Sequence, residues 1–240
     1  MKKLIIICLI TITLLLLMVG LVEAGGIGIS PSVVDFKEIL TNKVYEKNVR
    51  IHNTYDYAIN VSLEVEEYNG WLSFPETTEV LPNSYKDVII KISVPKKSVL
   101  GSYETMGYAK ALCGEWICVR IGFKIVFVVT NQKIFVGVVD NIRTRDVVQG
   151  EPLKFLIGYL NYGNVDNKVL TKIDIKREGI IVNNFNTQFV VNPYSSTTKT
   201  LYYNKTSNLG LGQYTADVKV YLKNSGLKLL GERTLYFKVY

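Results

Sequence analysis

One histidine, three cysteines and two tryptophans leave this chain of 240 residues short of the groups on which catalysis and metal binding usually rest. A Ser-His-Asp or Cys-His arrangement would have to use His52, the sole imidazole, which closes an alternating segment beside Asn53 and reads as a partly exposed strand residue. A zinc site lacks ligands, because there is no second histidine and, once Cys8 is set aside in an apolar run, only Cys113 and Cys118 remain. No Asp-x-Asp-x-Asp spacing occurs, so a calcium ion would need the fold to bring Asp140 to Asp146 or Asp166 to Asp217. Glu64, Glu66 and Glu67 cluster, but alternation sets Glu64 and Glu66 on one face and Leu63 and Val65 on the other, which is a solvated sheet face and not a glycosidase pair. Gly25-Gly26-Ile27-Gly28 has no strand before it and no helix after it, so it reads as a leader and not a phosphate loop. After residue 24 no segment carries a sustained helical stripe. No cofactor, no metal and no catalytic residue is expected.

What the chain does have is apolar and aromatic side chains: 48% are hydrophobic and 16 are tyrosine, enough to fill one large core or two smaller ones. Tyrosine packs its ring on a pleated surface and keeps its hydroxyl wet, which suits strands; Tyr55, Tyr57, Tyr202 and Tyr203 are the surface candidates. The formal charge is +7; leaving out Lys2, Lys3 and Glu23 of the first 24 residues gives 26 basic against 20 acidic residues, or +6. The carriers sit at alternating positions such as Lys172, Lys176, Lys219 and Lys223, a solvated face and not a nucleic-acid groove, with weak attraction to anionic envelope polymers left open.

The first 24 residues point to export. Met1, Lys2 and Lys3 precede Leu4 to Val22, 19 residues without charge, and Val22-Glu23-Ala24 places small residues where a signal peptidase cuts. That run exceeds the usual core of a signal peptide and just reaches the length of a span, so a cleaved signal and a retained membrane anchor both fit; either places residues 25–240 outside the membrane. Cys113 and Cys118 then form an even pair in an oxidising compartment, and a local disulfide is the economical reading. Asn60-Val61-Ser62 and Asn204-Lys205-Thr206 are glycosylation sequons, relevant only to an exported chain.

Period-two alternation runs through the rest. Val119, Ile121, Phe123, Ile125, Phe127 and Val129 alternate with Arg120, Gly122 and Lys124, and Tyr214 to Leu222 repeats the pattern. Further strands are expected at 44–52, 58–67, 86–94, 103–112, 134–140, 153–161, 168–177, 185–191, 197–203 and 232–239, with turn residues between. The halves also resemble each other. Asn53, Pro82 and Gly101-Ser102-Tyr103 have counterparts in Asn161, Pro193 and Gly212-Gln213-Tyr214; Pro82 to Tyr103 and Pro193 to Tyr214 both span 21 residues, with shifts of 108 and 111 between halves. The expectation is all-β: two tandem immunoglobulin-like antiparallel sandwiches, 25–131 and 132–240, after a signal or anchor at 1–24, with Thr130 to Lys133 as the break.

Ile27-Gly28-Ile29-Ser30-Pro31, Trp71-Leu72-Ser73-Phe74 and Gly101-Ser102-Tyr103 resemble the Ig-like modules of prokaryotic, notably archaeal, cell-surface or secreted proteins. The second half is similar to the CARDB-type adhesion-related domain in Gln149-Gly150-Glu151-Pro152, Asn161-Tyr162-Gly163-Asn164 and Gly212-Gln213-Tyr214. The resemblance implies a fold and says almost nothing of function.

The leading expectation is an exported binding or structural module of the cell envelope, acting through an envelope protein or polysaccharide, bound to the membrane through residues 1–24 if these are uncleaved, and taking no nucleic acid. The alternative is an assembly chaperone resembling the two-domain pilus chaperones, from which the chain departs because Gly25 to Asp35 contains no arginine and no Arg-Pro follows 119–129. A glycan hydrolase ranks last. The strands 103–112 and 119–129 should form a hairpin whose tip carries Trp116 between Cys113 and Cys118; Trp116 is the candidate partner contact, with core packing as the open alternative.

Overall fold

Among the described residues, alternating apolar residues build sixteen strands and no α-helix, and a 3-10 turn at Thr206–Asn208 is the one helical element there. The structure, a computed structural model, describes residues 25–113, 116–224 and 226–240, without the side chains of Cys113 and of 116–118. The described chain divides into two compact units, one made of residues up to 37 and 42–128, the other of 38–41 and 129–240.

The first unit carries β1 (Ile27–Ser30), β2 (Val33–Leu40), β3 (Val44–Asn53), β4 (Ile59–Val65), β5 (Leu72–Ser73), β6 (Thr77–Val80), β7 (Ser84–Ser93), β8 (Gly101–Cys113) and β9 (Trp116–Thr130), except that the last three residues of β2 and the last two of β9 count with the second unit. One sheet runs β1-β3-β7-β5 and the other β2-β9-β8-β4-β6. Inward residues of both sheets, among them Phe36, Val49, Ile51, Ile90, Phe123 and Ile125, are buried. The second unit carries β10 (Gly137–Thr144), β11 (Leu153–Asn161), β12 (Asn167–Arg177), β13 (Ile180–Val191), β14 (Ser196–Tyr203), β15 (Gly212–Leu222) and β16 (Lys228–Val239), in sheets β10-β11-β14 and β13-β12-β15-β16. Phe155, Ile157, Val169, Ile173, Val218 and Leu235 fill the space between them. In each unit the leading segment changes sheet: β1 pairs with β3 while β2 lies beside β9, and β10 pairs with β11 while Val147 bridges in parallel to Val239 of β16. This is the arrangement of an immunoglobulin-like sandwich.

Several strand limits differ from those read off the sequence. β10 starts at Gly137, because Ile134 gives its N–H to the Asn164 side chain (2.8 Å) and not to a neighbouring strand. β13 starts at Ile180, five residues earlier than expected, since Asn183, Asn184 and Asn186, which suggested a turn, are each paired in the ladder with β12. β2 was not foreseen.

The internal repeat extends to single hydrogen bonds. Asn53 closes β3, and its Nδ2 donates to the carbonyls of Tyr57 (2.8 Å), Val80 (3.1 Å) and Leu81 (3.0 Å), while Oδ1 accepts the Tyr55 N–H (2.9 Å). Asn161 closes β11 with the same four bonds, donating to Val165 (2.8 Å), Val191 (2.9 Å) and Asn192 (2.9 Å) and accepting from Gly163 N–H (2.9 Å). Each asparagine thus ties the end of one strand to the loop that leads into the strand pairing beside it. Near the start of β8 and of β15, Tyr103 and Tyr214 each donate a hydroxyl to the carbonyl four residues earlier, Val99 and Gly210, at 2.7 Å in both. These are tyrosine corners. Tyr103→Phe and Tyr214→Phe are each expected to cost about 1 kcal/mol, read as a lowered urea midpoint with unchanged slope; no loss at either position would contradict the assignment.

Candidate functional site

The sheet change in the second unit opens a cleft. Val147 N–H bonds to Lys238 O (2.9 Å) and Gln149 N–H to Tyr240 O (2.9 Å), so residues 146–149 leave the side of β11 to join β16. Gln149-Gly150-Glu151-Pro152 then turns the chain back: Glu151 N–H bonds to Val148 O (3.0 Å), and Gly150 holds a φ of 92°, a left-handed value that suits glycine. Pro152 leads into β11. Between the end of β10, this turn and the start of β11 lies a cleft of about 790 Å³, bordered at its far side by Tyr202 of β14.

The lining of that cleft is cationic over an apolar floor. Arg143 and Arg145 come from the end of β10 and the residue after it, where the spacing of two keeps both on one side; Lys154 stands on β11. Val148, Pro152 and Leu156 supply apolar surface, and Lys154 Nζ lies 5.9 Å from the centre of the Tyr202 ring. Asp146 and Glu151 also line the cleft, but Asp146 Oδ1 is taken by the Lys238 N–H (2.8 Å).

The sequence has six arginines. Arg50 pairs with Asp87 (2.8 Å), Arg120 with Glu64 (3.0 Å), Arg177 reaches Leu211 O (3.3 Å) and Arg233 reaches Ile142 O (3.1 Å). The other two, Arg143 and Arg145, have no acceptor among the described residues, and both line the cleft. A guanidinium offers five donors in a planar fork that matches a carboxylate. Two such forks and an ammonium over apolar surface suit an anionic group attached to an apolar one.

The residues singled out in the sequence lie elsewhere. Cys113, Trp116 and Cys118 fall outside the described side chains; β8 ends at Cys113, β9 begins at Trp116, and the two strands are neighbours, so the hairpin is present. Residues 1–24 lie outside the described residues. Asn60 and Asn204 are exposed, on the outer face of β4 and after β14. His52 is half-buried, its Nε2 3.1 Å from the Ser30 hydroxyl. Glu64 is held by Lys110 and Arg120 and Glu66 by the Tyr108 hydroxyl, while the Arg120 guanidinium lies 3.5 Å from the centre of the Tyr108 ring. The Lys110 bond, helped by Arg120, holds the Glu64 carboxyl below its ordinary range. Asp217 faces Lys176 (2.5 Å) and the Thr234 hydroxyl (2.7 Å), which lower its pKa, and it serves as an ion-pair partner. Among the described residues no group of three or more His, Cys, Asp or Glu side chains is placed to hold a metal ion.

Among the tyrosines Tyr202 is 54% exposed but Tyr203 only 4%, as adjacent strand residues face opposite sides. The larger aromatic cluster was not foreseen. Tyr68, Trp71, Tyr103 and Phe127 form a four-ring group with centroids 5.1 to 6.1 Å apart, closing one end of the first sandwich. Trp71 thus has a packing role.

No family model matches the sequence, and no curated protein does. Solved structures of similar architecture include the YadV chaperone (10% identity, 87% of this chain and 99% of that one, TM-score 0.36). Others are the class 5 fimbriae chaperone CfaA (12%, 88% and 99%, TM-score 0.34) and a PapD-like domain of human CEP192 (10%, 44% and 86%, TM-score 0.37). Each is a likeness of β-sandwich architecture.

Proposed function

We propose that the chain is an exported, non-enzymatic binding module of the cell envelope whose second sandwich captures a carboxylate-bearing segment of a partner protein. The observation that carries the reading is the pair Arg143 and Arg145 in a cleft with Lys154 and Tyr202, both guanidiniums lacking an acceptor among the described residues. A carboxylate there gains charge-assisted, bidentate bonds, and the apolar floor favours a segment that also carries an apolar side chain. Export rests on the basic, then apolar, then small-residue pattern of residues 1–24. The resemblance of the second module to CARDB-type domains rests on its motifs alone, of which Gln149-Gly150-Glu151-Pro152 includes two residues that line the cleft, Glu151 and Pro152.

The alternative, an assembly chaperone with two Ig-like domains, calls for an open apolar edge on β9. That strand lies between β2 and β8, and Phe123, Ile125, Phe127 and Val129 point into the core. The binding-module reading is therefore preferred.

Immobilised residues 25–240 should retain a protein from envelope extract, and Arg143→Glu/Arg145→Glu should lose it while unfolding at the same urea midpoint, since neither side chain holds an internal bond. Equal retention by the variant would refute the cleft as the binding site. Retention of an acidic polysaccharide in place of a protein would shift the partner class and overturn that part of the proposal.

A further inference from the structure

Among the described strands, the margins of the sheets are protected in every place but one. β1 and β5 are four and two residues long; β6 has four residues and Glu79. β2 carries Asp35, Lys37 and Glu38, β10 carries Asp140, Arg143 and a register shift after Val139, and β14 carries Lys199. β16 carries Lys228, Glu232, Arg233 and Lys238 and is bridged by Val147. Such short lengths, charges and bulges are how proteins blunt an edge whose unpaired N–H and C=O groups would otherwise template another strand.

β13 has none of them over most of its length. Its twelve residues, Ile-Ile-Val-Asn-Asn-Phe-Asn-Thr-Gln-Phe-Val-Val, contain no charge, no proline and no glycine, and its ladder is with β12 on one side alone. Its register shift falls at Val182, which leaves Asn183 to Val191 in unbroken register with β12. The strand is held firmly from inside, where Phe185 packs on Phe155 and stacks on Tyr203 (5.6 Å) and Phe189 meets Tyr159 edge-on. Outward it shows Asn184, Asn186, Gln188 and Val190, all exposed.

We propose that β13 is a self-association edge: two copies of this chain pair their β13 strands antiparallel about a two-fold axis, joining their four-stranded sheets into one. An isologous contact needs a surface complementary to itself. A strand of either charge would meet its own sign; this one meets none. An axis through Asn186 sets Asn184 opposite Gln188 and Phe185 opposite Thr187 and brings Val190 toward Val182 of the other copy. Directly opposed residues of an antiparallel pair share a face, so the apolar sides of both sandwiches stay together and the amides form a polar strip outside.

Sedimentation of residues 25–240, which contain every described strand of both sandwiches, should show a reversible monomer–dimer equilibrium in reducing buffer, where Cys113 and Cys118 cannot crosslink copies. Asn186→Glu tests the axis, because in a single copy the new carboxylate faces Lys172 of β12, its registered neighbour, whereas in the dimer two carboxylates meet. The dimer dissociation constant should rise about tenfold or more with no loss of thermal stability. Gln188→Glu covers a register shifted by two. Hydrogen exchange of the unmodified chain provides a check free of variants: alternate amides within 183–191 should lose protection on dilution. A monomer at all concentrations, a dimer indifferent to both substitutions, or exchange at β13 that ignores dilution would each overturn the proposal.

Discussion

Asn161→Ala should destabilise the second sandwich by at least ~3 kcal/mol, since it strips a donor from three carbonyls and an acceptor from one N–H, and each buried polar group left unpaired costs about 1–3 kcal/mol. The residue is 2% exposed, and two of its carbonyl partners, Val165 and Val191, are reached through buried bonds, so water cannot readily replace it. Asn161→Asp should be at least as damaging although nearly the same shape. A carboxylate has no N–H to give and would face the oxygens of Val165, Val191 and Asn192. Chemical denaturation of residues 25–240 checks both; a loss under ~1 kcal/mol for Asn161→Ala would show that the clamp does not hold the strands.

Gly163→Ala is the second large effect. A Cβ at that position would lie 2.1 Å from the Ile134 carbonyl oxygen and 3.1 Å from the Val136 nitrogen, both backbone atoms that no rotamer change can move aside. Next to it Asn164 donates to Gln132 O (2.8 Å) and accepts from Ile134 N–H (2.8 Å), so the substitution pushes away the segment that Asn164 draws in. The cost should exceed the ~1–3 kcal/mol usual for overpacking. Heteronuclear spectra should show the Gln132 to Val136 amides shifted most. A variant as stable as the parent, with those amides unmoved, would contradict the close approach.

These two positions show what could be read from the sequence. Asn53 and Asn161 stood out as matching strand-end positions of the two halves, 108 residues apart, and the structure gives the reason: each must reach carbonyls just before the following strand, at Val80 and Leu81 or at Val191 and Asn192. Alternation identified the inward faces, because the sandwich buries one side of each strand. The cleft was not legible. Arg143 and Arg145 alternate as strand residues do, but their meeting with Lys154 and Tyr202 depends on the sheet change at Val147, which no local pattern announces. The start of β13 was missed for a related reason: asparagine is a turn former in isolation, and here strand pairing with β12 overrides that preference.

The anion cleft is tested most directly by heteronuclear NMR of residues 25–240 titrated with a glutamate-rich peptide that carries one leucine, with polygalacturonate as the non-protein carboxylate. Saturable shifts gathered on residues 143–156 and Tyr202, lost in Arg143→Glu/Arg145→Glu and stronger for the peptide, are the predicted result. Shifts spread over the exposed lysines of β12 and β15, Lys168, Lys172 and Lys219, equal for both polymers and unchanged in the variant, would mean charge attraction without a site and would contradict the proposed function.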